Sequence, residues 1–287
     1  MSNDVNVLSS IPESERAQSV VNLDLDEVPV ERALGVEWNV QEDVFKFRVI
    51  ERKKAAMRRG ILSDVSSMYD PLGFAAPFIL PAKRLLQEFF KIKIGWDEDI
   101  SRNMLEVWER WLNDLPHLQR ITVPRYFKSH RLGQVKSVQL HHFSDASSDG
   151  YDTVSYLRFV DVNDKVHCAL VMGKSRVAPM KPTTIPRLEL TAATLAVKQH
   201  RQIYKELDLD VNSVTFWTDS TCILLYINNE ASRFKTFVAN RVAIIHDDSS
   251  PSWWRYVDTK ANPADYASRG LRPTNRSVGQ RTELPSW

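Results

Sequence analysis

The chain has 287 residues, 43% of them hydrophobic and 26% charged, with a formal net charge of +2, which is soluble globular material for about two domains. Two cysteines without ligand-like spacing, Cys168 and Cys222, argue against a disulfide framework or a zinc cluster and for a reducing compartment. No apolar run approaches the roughly 20 residues of a membrane span, and the polar start carries no signal-peptide pattern; an intracellular protein, cytoplasmic or nuclear, is expected.

Residues 1–30 are acidic and polar with little periodicity and read as a flexible leader or as the stump of a larger domain. Two alternating runs then flank a polar turn, Ala33 to Val40 and Val44 to Val49 around Gln41-Glu42-Asp43, which is the signal of a β-hairpin. The stretch that follows is basic, with Lys46, Arg48, Arg52, Lys53, Lys54, Arg58 and Arg59 against Glu51 alone. Such a run is either a phosphate-binding stripe or a solvated face.

Helical spacing recurs from Lys53 to Met68, until Asp70-Pro71-Leu72-Gly73 breaks it. It resumes after Pro77, through Ile79, Leu80, Leu85, Leu86, Phe89 and Phe90, and again from Ser101 to Leu115, where Met104, Trp108, Trp111, Leu112 and Leu115 form one stripe. These aromatics suit a core better than a ligand platform. Residues 31–120 are thus expected to form a hairpin with a small helical domain. Residues 121–137, with Pro124 and Gly133 and no clear period, are expected to be a linker.

Beyond the linker the period changes to two. Three alternating runs, from Val138, Tyr151 and Lys165, are joined by short turns and predict an antiparallel meander. A helix follows over Pro186 to Leu207, then a buried-looking strand over Val214 to Thr218, helices from Ser220 and Phe234, a strand from Trp253 and a short helix from Ala264. The order βββαβααβα over residues 138–270 describes a mixed sheet covered by helices. Residues 271–287 read as a disordered tail or as the start of a linker.

Within this second region Asp145 and Asp219 each end a strand, Glu189 lies near the start of a helix, and Asp265 opens the last one. Each sits among apolar residues, where an unpaired charge is costly. Hydrolysing a phosphodiester needs an activated water and charge relief on the leaving oxygen, and two divalent ions held by three or four acids supply both. A single such acid is more simply a cap or a strand-end residue; four at the ends of neighbouring elements favour a metal centre. His141 shares a strand face with Phe143 and Asp145, though a hydrogen-bonded structural histidine is the plainer reading. Of Trp253 and Trp254, one is expected to face the core.

The motifs Phe143-Ser144-Asp145-Ala146-Ser147, Pro186-Arg187-Leu188-Glu189-Leu190, Trp217-Thr218-Asp219-Ser220 and Asn262-Pro263-Ala264-Asp265-Tyr266-Ala267-Ser268-Arg269-Gly270 resemble the ribonuclease H region of BEL/Pao retrotransposon polyproteins. Upstream, Leu34 to Trp38 and Ser63 to Gly73 resemble the primer-grip hairpin and thumb that follow the polymerase palm. The resemblance spans roughly residues 30 to 271. It implies an α/β fold, a ribonuclease H-like mixed five-stranded sheet with flanking helices, preceded by the hairpin and the thumb-like domain. It implies two Mg²⁺ ions, replaceable by Mn²⁺, held by Asp145, Glu189, Asp219 and Asp265, and cleavage of the RNA strand of an RNA/DNA hybrid, with the polymerase portion of the polyprotein as a further partner. A catalytically weak nucleic-acid-binding remnant is the alternative. The family also carries the name Pao retrotransposon peptidase, but an aspartic peptidase needs Asp-Thr-Gly or Asp-Ser-Gly, and Asp219-Ser220-Thr221 lacks the glycine. No Tyr-x-Asp-Asp polymerase motif occurs, and Val257 to Asn262 offers no histidine before the last acid.

Overall fold

The computed structural model describes residues 30–33, 36–39, 41–47, 55–68, 70–129, 131–229 and 233–270. Residues 1–29 of the leader, the tail and the basic residues Arg48, Arg52, Lys53 and Lys54 lie outside them.

The first part is an antiparallel sheet in the order β1-β2-β3-β4 (Val30–Ala33, Val36–Asn39, Val44–Lys46, Thr122–Pro124). The expected hairpin is β2–β3, turned through Asp43 at φ 51. Asp43 is fixed in that left-handed position by a Trp38 Nε1–H donor at 2.9 Å and an ion pair with Arg125. The fourth strand corrects the expectation of a linker over residues 121–137, because Val123 pairs with Phe45 and is buried. Three residues ending in proline carry too little alternation to be read as a strand; proline is tolerated here because β4 is an edge.

Helices α1 (Arg58–Ser67), α2 (Ala76–Lys91) and α3 (Arg102–Asp114) pack on this sheet. Their core contains Ile61, Phe78, Phe89, Trp108, Trp111 and Leu118. Trp108 and Trp111 stack at 4.8 Å between ring centres, and Trp111 Nε1 donates to Phe78 O at 2.7 Å, so both are core residues, as their stripe suggests. Asp70 starts α2 by accepting the backbone N–H groups of Phe74 and Ala75 at 3.0 and 2.8 Å.

The second part is a five-stranded sheet in the order β7-β6-β5-β8-β9. Strands β5 (Val135–Ala146), β6 (Gly150–Asp161) and β7 (Val166–Val177) form the meander. The long helix α4 (Ile185–Glu206) crosses over so that β8 (Ser213–Thr218) lies parallel to β5, and β9 (Trp254–Tyr256) adds parallel to β8. Helices α5 (Thr221–Ile227) and α6 (Thr236–Asp248) join β8 to β9, and α7 (Asp265–Arg269) closes the chain's described part. The order βββαβααβα is the one the periodicity gives, and the topology is the ribonuclease H-like fold.

Alternation assigns the two faces of the sheet. Leu140, His142 and Ala146 of β5 point toward α4, where His142 meets His200. Phe143 points to the opposite face with Tyr156, Trp217 and Ala264, and Asp145, two residues on, shares that face. His142, His200, Ser155 and Gln199 form a hydrogen-bonded cluster beneath the sheet. Burial holds His142 well below the ordinary histidine range.

The two parts interlock. Gly173 N donates to Leu72 O at 2.8 Å, and Gly73, at φ 71, presses so close that a Cβ there would stand 1.8 Å from Gly173 O. Only glycine suits this contact. Arg84 pairs with Asp149 at 2.6 Å, and Gln87 Nε2 donates to Ala178 O at 2.6 Å. Asp149 thus serves the junction between the two parts.

Candidate active site

Strand register brings the first two acids together. Ser144 of β5 is paired in parallel with Thr218 of β8, so the next residues, Asp145 and Asp219, leave adjacent strands side by side, about 5 Å apart at the backbone. Phe143 and Trp217, one step of alternation earlier, stack face to face on the same side. Glu189 reaches the same end from α4, where its Oε2 accepts a 2.6 Å hydrogen bond from Ser220, the residue after Asp219. Asp265 comes from α7, whose Ser268 Oγ donates to Asp145 Oδ2. All four sequence-predicted acids therefore lie at one end of the sheet.

Their charges interact. Burial pushes the Asp145 carboxyl up to about 6; the Ser268 hydroxyl opposes this, and the negative charges of Asp219 and Asp265 add to it. Glu189 is raised as well, by burial first and then by Asp219, against the Ser220 hydrogen bond. Negative charge from neighbouring acids thus adds to the burial that already disfavours ionising Asp145 and Glu189, a load that positive charge would relieve.

Asp145, Glu189 and Asp219 each accept from a local hydroxyl, and Asp265 has a cation beside it. Asp219 Oδ2 accepts from Thr259 Oγ1 at 2.7 Å. Arg269 Nε stands 2.7 Å from Asp265 Oδ1 but off the line of its N–H, an ion pair without a hydrogen bond. As these side chains are placed, no three His, Cys, Asp or Glu among the described residues stand close enough to grip one ion. The donor chemistry nonetheless suits a hard divalent cation, since the set is all carboxylate with no nitrogen or sulfur.

The sequence pointed to the acids and missed their supports. Asn262 is buried and spans two elements, with Nδ2 donating to Ser144 O and Oδ1 accepting from Ala264 N, both at 3.1 Å. It anchors the start of α7 to β5. The end of α7 is held by Ser147 Oγ donating to Ser268 O at 2.6 Å and by Ser175 Oγ donating to Ala267 O at 3.2 Å. Gly270 follows at φ 80 against Pro81 of α2. Ser268, three residues after Asp265 on the same helix face, was the one support with a readable spacing. Asp152 lies directly across from Asp145 in the β5–β6 register and is buried on the same face.

His141 is structural in its contacts: its Nδ1 accepts from Trp217 Nε1 at 3.0 Å, and burial, with Arg158 nearby, lowers it to about 4. Trp254 is buried and Trp253 partly exposed, as expected of the pair. In the basic run, Lys46 pairs with Glu42 at 2.6 Å and Arg59 pairs with Asp97 at 2.8 Å. Arg58 donates to Ile94 O and lies over the rings of Phe90 and Trp96.

The family model of the Pao retrotransposon-like RNaseH-like domain matches residues 57–220, more than half of the chain. The chain belongs to that family. The matched segment holds the helical part, Asp145, Glu189 and Asp219; Asp265 lies beyond it. No curated protein sequence matches the chain. Among solved structures, it is similar to the N-terminal RNase H domain of an Rv2228c protein from Mycobacterium tuberculosis, with 9% identity over 50% of this chain and 98% of that one and a TM-score of 0.32. It is also similar to LC11-RNase H1, from a compost metagenome, solved with an RNA/DNA hybrid, with 13% identity over 45% and 91% and a TM-score of 0.31. A foamy viral protease-reverse transcriptase in complex with dsDNA has 12% identity over 79% of this chain and 44% of that one, with a TM-score of 0.24. Among the described residues no helix is long and apolar enough to cross a membrane.

Proposed function

We propose that this chain is the ribonuclease H part of a retrotransposon reverse transcriptase and hydrolyses the RNA strand of an RNA/DNA hybrid. The observation that carries the reading is the convergence of Asp145, Glu189, Asp219 and Asp265 on one end of the sheet, with Asp145 raised to about 6 by burial and by two of its fellow acids. These four carboxylates are assigned to two Mg²⁺ ions, with Mn²⁺ as a substitute. Bound there, the cations would supply an activated water and charge relief on the leaving oxygen. The chain's own part is to aim the acids. Ser268 and Asn262 fix α7 against β5, Ser220 holds Glu189, and Thr259 holds Asp219 until a cation competes for the carboxylate. The basic run from Lys46 to Arg59 is assigned to backbone phosphates, and the polymerase portion of the polyprotein to a partner role. Such a substrate puts the protein in the cytoplasm or the nucleus.

A second reading, a remnant that binds nucleic acid without cutting it, draws on the hydroxyl donors that engage Asp145, Glu189 and Asp219 and on the lack, among the described residues, of a ready three-acid set. Incubating the purified chain with a hybrid labelled on its RNA strand, with Mg²⁺, separates the two. Cutting that Asp219→Asn abolishes supports the nuclease; salt-sensitive binding without any cutting supports the remnant.

A further inference from the structure

The end of β8 remote from the acids has an open side. β9 pairs only with Phe216, Trp217 and Thr218, so among the described residues no strand lies against the outer edge of residues 213–215. A cavity of about 540 Å³ results, lined by His200 and Tyr204 from the last turns of α4, by Trp253 and Arg255 at the start of β9, and by the hydroxyl residues Ser213 and Thr215. Asp219 stands six residues beyond Ser213, about 20 Å along an extended chain. The cavity is therefore separate from the acids.

His200 is only 7% exposed, and its hydrogen bonds fix what it offers the cavity. Gln199 Nε2 donates to Met172 O at 3.1 Å and to Ser155 Oγ at 2.8 Å. The Ser155 hydroxyl is left to donate to His142 Nδ1 at 2.6 Å, so His142 donates from Nε2 to His200 Nδ1 at 3.0 Å, and His200 carries its own proton on Nε2. Burial lowers both imidazoles, and Asp248, which acts the other way on His200, is paired with Arg201 at 3.5 Å. Each ring is thus neutral with one N–H. The His200 Nε2–H has no acceptor among the described residues, yet it is not sealed from water. It is a donor facing the cavity.

The other walls are equally particular. Arg255 Nη1 donates to Ser252 O and Trp254 O at 2.6 and 2.8 Å, which holds the guanidinium in place, with no carboxylate within ion-pairing distance among the described residues. Tyr204 and Trp253, both exposed, stand 5.5 and 6.2 Å from the His200 ring between centres. This lining suits a flat ring against an aromatic wall, acceptor atoms on the edge of that ring for His200, and negative charge for Arg255. A plain benzene ring lacks the acceptors. A nucleotide has all three features.

We infer that this cavity is a nucleotide-binding site, with the base on Trp253 beside His200 and the phosphate on Arg255, the nucleotide being either free or the unpaired end of a strand. The inference stands apart from the reading of the four acids, and its test uses neither metal nor cutting.

The test is calorimetric titration of the purified chain, in EDTA, with AMP, with UMP and with phenyl phosphate. At least one nucleotide is expected to saturate at millimolar concentration or below, and to bind about tenfold more tightly than phenyl phosphate, which keeps a ring and a phosphate but has no acceptor on the ring. Trp253→Leu and Arg255→Gln, both at exposed positions, are each expected to weaken that nucleotide about tenfold. A hybrid with an unpaired extension, compared with its blunt form by fluorescence anisotropy, then assigns the source. Tighter binding of the extended form that Trp253→Leu abolishes identifies a strand end; no gain, or a gain that the variant keeps, leaves the free nucleotide as the ligand. Saturation by neither nucleotide, phenyl phosphate bound as tightly, or an affinity that both variants leave unchanged would overturn the inference.

Discussion

Replacing Asp145 by asparagine should make the metal-free protein more stable at neutral pH. Asp145 is buried, and its carboxyl is pushed from 3.8 to about 6, chiefly by burial and then by Asp219 and Asp265. At 1.36 kcal/mol per pH unit, that displacement corresponds to a penalty of roughly 3 kcal/mol once the group is ionised in both folded and unfolded chains. The sign follows from proton uptake. Below about 3.8 both states hold the proton and the group contributes nothing. Between about 3.8 and 6 only the unfolded chain has released it, so stability falls as pH rises; above about 6 the whole penalty is present. Asparagine keeps an oxygen to accept from Ser268 and carries no charge. In urea unfolding with EDTA, Asp145→Asn should exceed the wild type by up to about 3 kcal/mol at about pH 7.5, with the gap closing toward about pH 4. Taking the difference cancels the titration of the buried histidines, which both proteins share. A variant no more stable than the wild type at neutral pH, or a gap that ignores pH, would refute the claim that these acids strain the fold in the absence of a cation.

Other consequences reach the rest of the molecule. Gly73→Ala combines a left-handed backbone with a Cβ 1.8 Å from Gly173 O, and it displaces the Gly173 N–H bond to Leu72; a loss of about 3 kcal/mol is expected in urea unfolding. Gly95→Ala, whose new Cβ meets only the Glu98 side chain, its flexible carboxylate nearest, should change stability by no more than about 0.5 kcal/mol. Asn262→Ala removes two buried hydrogen bonds and should cost about 2–3 kcal/mol, with hybrid cutting reduced because α7 loses its anchor to β5; a variant that unfolds like the wild type would deny Asn262 that role. His141, lowered to about 4, should keep neutral-imidazole NMR shifts from about pH 7 to 5; a midpoint near 6.5 would show that it is not buried as described.

Much of the ribonuclease H-like half could be read from the sequence, because its strands are long and their period of two is clean. Twelve residues in each of β5, β6 and β7 leave little room for another assignment, and alternation alone puts Asp145 on the face of Phe143. Asp145 and Asp219 were readable for a related reason: a carboxylate at the end of an apolar strand is expensive, so its position carries information. The fourth strand of the first sheet was not readable, since Thr122–Pro124 pairs with a strand 78 residues earlier, Phe45 to Val123, and three residues hold no periodicity. The scaffold of α7 was hidden for the same reason. Ser147, Ser175 and Asn262 are ordinary polar residues in sequence and acquire their roles only when β5, β7 and α7 meet. The carboxylate orientations were also beyond the sequence, because nothing local in Asp219 or Glu189 announces a partner in Thr259 or Ser220.

Direct cation binding bears on the four acids most closely. Metal-free protein titrated with Mn²⁺ and followed by electron paramagnetic resonance should take up the ion saturably, Mg²⁺ should displace it, and Asp145→Asn and Asp219→Asn should each weaken uptake by tenfold or more. Uptake that neither substitution alters, or a folded wild type that takes up no ion at millimolar concentration, would contradict the assignment of Asp145, Glu189, Asp219 and Asp265 to a metal centre.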